Sequence, residues 1–207
     1  MKNVTLTEHE RDVRHAEKMV AKKAARAKIL ATKTIEKGLL IVHTGKGKGK
    51  STAAFGMVLR AIGHGLRIAI IQFVKGQWHT GERKVLSSFP EHVTMYTMGE
   101  GFTWETQDRQ RDLAAARAGW EKAKEIMSDP SYKMILLDEL NIVLRYDYLP
   151  FDEVCAVLDR RHPDQHVIIT GRNAKDELIE RADLVTDMTM VKHPFRSGVK
   201  SQPGIEF

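Results

Sequence analysis

Gly45, Gly47 and Gly49 alternate with Lys46, Lys48 and Lys50, and Ser51 and Thr52 follow directly. Residues without a Cβ let successive backbone N–H groups converge on an anion, and a lysine adds a point charge that reaches phosphate. A hydroxyl one residue after that lysine is placed to ligate Mg²⁺ or Mn²⁺. The chemistry implied is capture of a nucleoside triphosphate such as ATP at the start of a helix. The usual spacing puts a glycine five residues before Gly49, where this chain has Thr44, so the loop is one residue tighter. A tighter loop predicts that the triphosphate is seated differently from that of ordinary ATPases. A plain basic turn is the competing reading. Against it stand the strand-like run Leu39-Leu40-Ile41-Val42 before the loop and the alanine-rich helix former after it.

Two further segments carry charge suited to the same ligand. Met134-Ile135-Leu136-Leu137 runs into Asp138-Glu139, a buried strand delivering paired carboxylates that can hold a hard divalent cation directly or through water. Val167-Ile168-Ile169 runs into Thr170-Gly171-Arg172, where the guanidinium fork could grip phosphate oxygens; a salt bridge to Asp176 or Glu177 is the competing use. Between the loop and these two segments, Phe102 and Trp104 place two large aromatics in a stretch where periodicity does not demand burial, as in a ligand wall.

The elements that must position these groups alternate short β-branched runs with longer amphipathic stretches, the pattern of an α/β fold with a mostly parallel central sheet flanked by helices. Strands are expected at 39–44, 67–73, 92–97, 133–138, 166–171 and 184–190, and helices near 50–63, 82–89, 107–128, 150–161 and 174–181. Gly63-His64-Gly65 and Asp129-Pro130 supply helix stops. Ligands of such sheets gather at the carboxyl ends of the strands, which is where the loop, Asp138-Glu139 and Arg172 all fall.

The 207 residues are enough for one substantial core, and a net charge of +6 is concentrated at the front: residues 1–37 hold ten Lys/Arg against five Asp/Glu. This divides the chain into a basic helical arm, 1–37, and a phosphate-loop domain, 38–207. Thr7 and Glu10 form a capping-box signature for an exposed arm helix from Glu8 to about Ala31. The arm lacks the interleaved aromatics of a base-stacking surface, which disfavours nucleic acid as a partner. The lone Cys155 excludes an internal disulfide and a thiolate zinc cluster, and its apolar neighbours suit a buried small hydrophobe. No apolar run approaches the length of a membrane span or a signal-peptide core, so a soluble, cytoplasmic protein is expected.

Taken in order, several segments resemble the ATP:corrinoid adenosyltransferases, the phosphate-loop family that makes adenosylcobalamin. They are Thr44 to Lys50, Gln72-Phe73-x-Lys75-Gly76, Gly81-Glu82-Arg83, Gly101 to Thr106, Leu137 to Leu140, Tyr146 to Pro150, Val167 to Arg172, Val191-Lys192-His193-x-Phe195, Gly198-Val199-Lys200 and Gly204-Ile205. The resemblance implies a RecA-like phosphate-loop fold in which a Co(I) corrinoid attacks C5′ of ATP and expels inorganic triphosphate. It further implies a nucleotide bound in reversed orientation, a homodimer and a reduced flavoprotein as electron donor. Phe102 and Trp104 match the aromatics that press on the lower corrin face. Glu139 matches a residue of the metal and ribose region, Arg60 and Arg172 match nucleotide contacts, and the N-terminal helix matches a cover over the corrinoid. Two positions depart from the family pattern: Lys46 stands where relatives often have asparagine, and Ser51 where they often have threonine. Ser51 keeps the hydroxyl, whereas Lys46 removes an amide and adds charge. The competing functions are a small RecA-like ATPase or kinase using Glu139 as base, and a nucleotide-dependent nucleic-acid-binding module.

Overall fold

A computed structural model describes residues 7–74, 80–98 and 108–206, and the chain divides into two units, Met1–Glu36 and Lys37–Phe207. In the first, α1 (Glu8–Ala31) starts at the expected capping box: Thr7 Oγ1 accepts from the Glu10 N–H at 3.3 Å, and the Glu10 carboxylate accepts from the Thr7 N–H at 2.8 Å. Glu8 and Glu10 in the first turn and Lys28 in the last complement the helix dipole. No residue of α1 is buried, so capping and intrinsic propensity are what define it within this unit.

The second unit runs β1 (Leu40–Thr44), α2 (Lys50–Gly63), β2 (Arg67–Gln72), α3 (Gly81–Leu86), β3 (Val93–Thr97) and α4 (Arg109–Met127), followed by β4 (Tyr132–Asp138), α5 (Leu140–Arg145), α6 (Phe151–Asp159), β5 (His166–Thr170), α7 (Asp176–Arg181) and β6 (Leu184–Asp187). Its six strands form one sheet in the order β3-β2-β4-β5-β1-β6, with every pairing parallel. The central strands are apolar on both faces because helices cover both. Alternation along each strand sorts the side chains into two cores. Leu40, Val42, Ala69, Ile71, Ile135, Leu137, Val167 and Ile169 pack with Ala116, Trp120 and Ala123 of α4, while Ile41, Ile68, Ile70, Leu136 and Ile168 pack with Ala54, Phe55 and Val58 of α2. Cys155 is buried, as its neighbours suggested.

The structure departs from the sequence expectations at four elements. β6 stops at Asp187 instead of continuing to 190, because the chain leaves the sheet there: Met188 donates its N–H to Thr44 O at 3.0 Å and its carbonyl accepts from the Gly47 N–H. α5 has no counterpart among the expected helices. It starts immediately after β4 because Glu139 adopts a left-handed conformation, φ 65°, that turns the chain out of the strand in one residue. α3 and α6 end three and two residues early, at Leu86 and Asp159. Among the described residues no helix is long and apolar enough to cross a membrane.

Leu137 is wholly buried between strand and helix layers, whereas Val20 on α1 is 70% exposed. Leu137→Ala is expected to lower the free energy of unfolding by about 2–5 kcal/mol, and Val20→Ala to change it by less than about 0.5 kcal/mol. Chemical denaturation of the two variants checks both values.

Candidate functional site

The loop between β1 and α2 closes around its own lysine. Lys50, the first residue of α2, is buried, and its Nζ donates to the carbonyls of Gly45 at 2.9 Å and Gly47 at 2.5 Å. Burial is the main cause that lowers its pKa; the Glu139 charge opposes that shift, and the nearby Arg172 cation reinforces it. Gly49 caps the helix at φ 110° and Gly45 turns the loop at φ 96°, conformations that favour glycine. The first amides of the helix have no partner within it, which makes this end suited to an anion.

Gly45 and Gly47 answer a second demand. A Cβ on Gly45 would stand 2.2 Å from Asp187 Oδ1, and one on Gly47 would stand 2.5 Å from the Met188 carbonyl oxygen. The Gly47 N–H donates to that same carbonyl at 2.6 Å. The chain after β6 therefore packs edge-on against the loop, and these glycines serve that contact as well as any phosphate.

A cavity of about 660 Å³ opens at the carboxyl edge of the sheet. Gly47, Lys48, Gly49, Lys50, Ser51 and Thr52 line one side, and Glu139 and Arg172 line another. Among the described residues Arg172 makes no ion pair with Asp176 or Glu177, so the competing use of its charge is not realised. Ser51 and Glu139 bring two hard oxygen donors into the same space, a set that suits Mg²⁺ once phosphate and water oxygens complete it. Among the described residues there is no cluster of three or more His, Cys, Asp or Glu side chains placed to hold a metal. A bound cation here would therefore depend on its phosphate ligand.

Not every expected residue meets there. Thr44, Gly45 and Lys46 line a second cavity of about 410 Å³ on the other side of the loop, with Asn173, Asp187 and Arg196. The Thr44 hydroxyl accepts from the Ala174 N–H at 3.0 Å and so ties β1 to the loop after β5. Arg60 is exposed in the last turn of α2, about 15 Å of helix rise from Lys50, where a cation complements the helix dipole, and it lines neither cavity. Asp138 is wholly buried and does not line the cavity: its Oδ1 accepts from Thr170 Oγ1 at 2.7 Å and its Oδ2 from Gln72 Nε2 at 3.1 Å. Phe102 and Trp104 lie outside the described residues.

Residues that sequence reasoning gave no individual role also face the larger cavity, among them Tyr146, His193 and Glu206. Tyr146 follows α5 and stacks on Tyr148 with ring centroids 5.6 Å apart. His193 Nδ1 accepts from the Phe195 N–H at 3.3 Å, which leaves the hydrogen of the neutral ring on Nε2. Glu206 pairs with Lys48 at 2.7 Å. Their only signal in the sequence is that they fall within or beside the segments of family resemblance, since no periodicity marks them.

A helix-start phosphate loop, a strand-end carboxylate and an arginine around one cavity define an α/β protein of the phosphate-loop class. A sequence model of the family described as ATP:corrinoid adenosyltransferase BtuR/CobO/CobP matches residues 36–207. A corrinoid adenosyltransferase of a Sinorhizobium species is 60% identical over 95% of this chain and 92% of its own length. The Pseudomonas aeruginosa corrinoid adenosyltransferase is 51% identical over 96% and 98%, and that of Escherichia coli is 49% identical over 83% and 87%. The chain belongs to the ATP:corrinoid adenosyltransferase family, a family of enzymes.

Gly56 lies inside α2, where an added methyl would meet open space, in contrast to Gly47. Gly56→Ala is expected to stabilise the fold by about 0.5–1 kcal/mol. Gly47→Ala must displace the loop or the chain after β6, and is expected to lower the melting temperature. Thermal melts of the two variants test the pair.

Proposed function

We propose that this protein transfers the 5′-deoxyadenosyl group of ATP to a Co(I) corrinoid. The observation that carries this reading is the convergence of the phosphate loop, Glu139 and Arg172 on one cavity in a chain of this family. The cobalt lone pair attacks C5′ and forms the Co–C bond. The C5′–O bond to the α-phosphate breaks with its electron pair on oxygen, inorganic triphosphate departs, and cobalt becomes Co(III).

The residues of the site suit that leaving group. Lys48, Lys50 and Arg172 gather cationic charge where the phosphate chain acquires negative charge, and the amides at the start of α2 add fixed dipoles. Holding C5′ in line with a bulky nucleophile is a matter of positioning, which the cavity supplies. Mg²⁺ would be held by Ser51 and Glu139 and would neutralise phosphate charge. We assign Glu139 the further role of orienting the ribose. Arg60 is left out of the proposed nucleotide contacts because of its distance. We assign Phe102 and Trp104 to the corrin face, the arm 1–37 to corrinoid cover, and electron supply to a reduced flavoprotein, with the enzyme acting as a cytoplasmic homodimer.

The decisive experiment is anaerobic spectrophotometry of chemically reduced cobalamin with MgATP and the purified protein. The expected result is loss of the Co(I) band, a light-sensitive alkylcobalamin and equimolar triphosphate. Phosphate release from ATP with no cobalt alkylation would overturn the proposal in favour of an ATPase. Lys50→Ala is expected to lower kcat by about 10²–10³-fold or more. Phe102→Ala and Trp104→Ala should slow the reaction that starts from Co(II) much more than the one that starts from pre-reduced Co(I). Equal losses from both starting states would remove the aromatics from the reduction step.

A further inference from the structure

The buried side of the site is a row of polar residues across the sheet. The parallel registers pair Thr97 of β3 with Gln72 of β2, Gln72 with Asp138 of β4, and Leu137 with Ile169, so that Asp138 and Thr170 come next in line on β4 and β5. Hydrogen bonds follow the row: Thr97 Oγ1 donates to Gln72 Oε1 at 3.4 Å, Gln72 Nε2 to Asp138 Oδ2 at 3.1 Å, and Thr170 Oγ1 to Asp138 Oδ1 at 2.7 Å. At its far end the Thr170 oxygen accepts the backbone N–H of Glu139 at 2.9 Å. Thr170 is wholly buried, and none of its atoms lines the cavity.

The geometry points to Thr170 as the positioning residue for Glu139. Its hydroxyl hydrogen is committed to Asp138, so the oxygen presents a lone pair to the Glu139 amide and holds that residue at φ 65°. A non-glycine residue in the left-handed region is strained by about 1–3 kcal/mol and persists only where its surroundings over-determine it. Without this turn β4 would continue, and the carboxylate following Asp138 would be a strand residue pointing to the opposite face of the sheet from Asp138. Asp138 thus acts from within the sheet, orienting the Thr170 hydroxyl, and reaches the nucleotide through Glu139.

The inference rests on the nucleotide reading of the cavity, and a double-mutant cycle tests it. Thr170→Val keeps shape and removes the hydroxyl; Thr170→Ser keeps the hydroxyl; Glu139→Ala removes the carboxylate. For adenosylation of Co(I) cobalamin, Thr170→Val is expected to lower kcat at least about tenfold and Thr170→Ser to stay within about threefold of the parent. The double variant Thr170→Val/Glu139→Ala should be no slower than Glu139→Ala alone. MgATP affinity by calorimetry should show the same non-additive pattern. If Thr170→Val does not fold, Thr170→Ala, which leaves room for a water, is carried through the same cycle. Losses that multiply in the double variant, or a Thr170→Val enzyme within about threefold of the parent, would overturn the inference. If the parent itself alkylates no cobalt, the proposed function fails instead, and non-additivity in the MgATP dissociation constants still decides the role of Thr170.

Discussion

The parallel pairing of β4 with β5 and of β5 with β1 is the constraint on which the site depends. Parallel strands end on a common edge, so three loops far apart in sequence emerge side by side: the glycine loop after Thr44, the turn at Glu139 and the segment at Arg172. The strands stay in register because each is apolar on both faces and sandwiched between helices, and a slip would misalign two cores at once. At the last position of β2, β4 and β5 the ladder turns polar, and there Gln72, Asp138 and Thr170 satisfy one another. An ionised carboxylate inside the sheet would be costly without those donors. The transition from core to chemistry therefore takes place within a single row of residues.

The glycine loop shows how packing and binding share the same atoms. The proposed phosphate binding would account for Gly49 and Lys50 at the start of α2, but the Cβ contacts at Gly45 and Gly47 are with Asp187 and Met188. The chain after β6 thus acts as a backing for the loop, and the one-residue tightening, with Thr44 in place of glycine, matches the closeness of that backing. Thr44 gains a use from the change, since its hydroxyl accepts the Ala174 N–H and couples the loop to the end of β5.

Much of this was legible in the sequence because it depends on local pattern. The β-branched runs marked six strands within a residue or two except at β6, and the Thr7–Glu10 box placed the start of α1. Asp138 and Glu139 could be recognised as a pair, but their separate fates could not. Adjacent residues in a strand point to opposite faces, and only a left-handed turn, which no propensity encodes for glutamate, sends the second into the cavity. Likewise α5 was hidden because Leu140 to Leu144 is apolar and rich in branched residues, a composition compatible with strand. Tyr146, His193 and Glu206 reach the cavity through tertiary folding of the chain's final third, which periodicity does not report.

Charge in the cavity is arranged so that both loop lysines lining it have counterparts. Lys48 pairs with Glu206, and Lys50 donates to two loop carbonyls while Glu139 opposes the effect of its burial. A cation satisfied by carbonyl dipoles and distant carboxylates is preorganised: it is already desolvated and fixed, so a polyanion gains its full attraction with little reorganisation. The arrangement favours a ligand whose charge grows along its whole phosphate chain over one that exchanges a single terminal phosphoryl group. Loop cations and helix amides line one side of the cavity, and Arg172 and Glu139, the latter fixed from beneath by Thr170, line another. Under the proposed reaction, cleavage between phosphate chain and sugar would use all of these groups at the same moment, which is the physical case for a site that releases triphosphate intact.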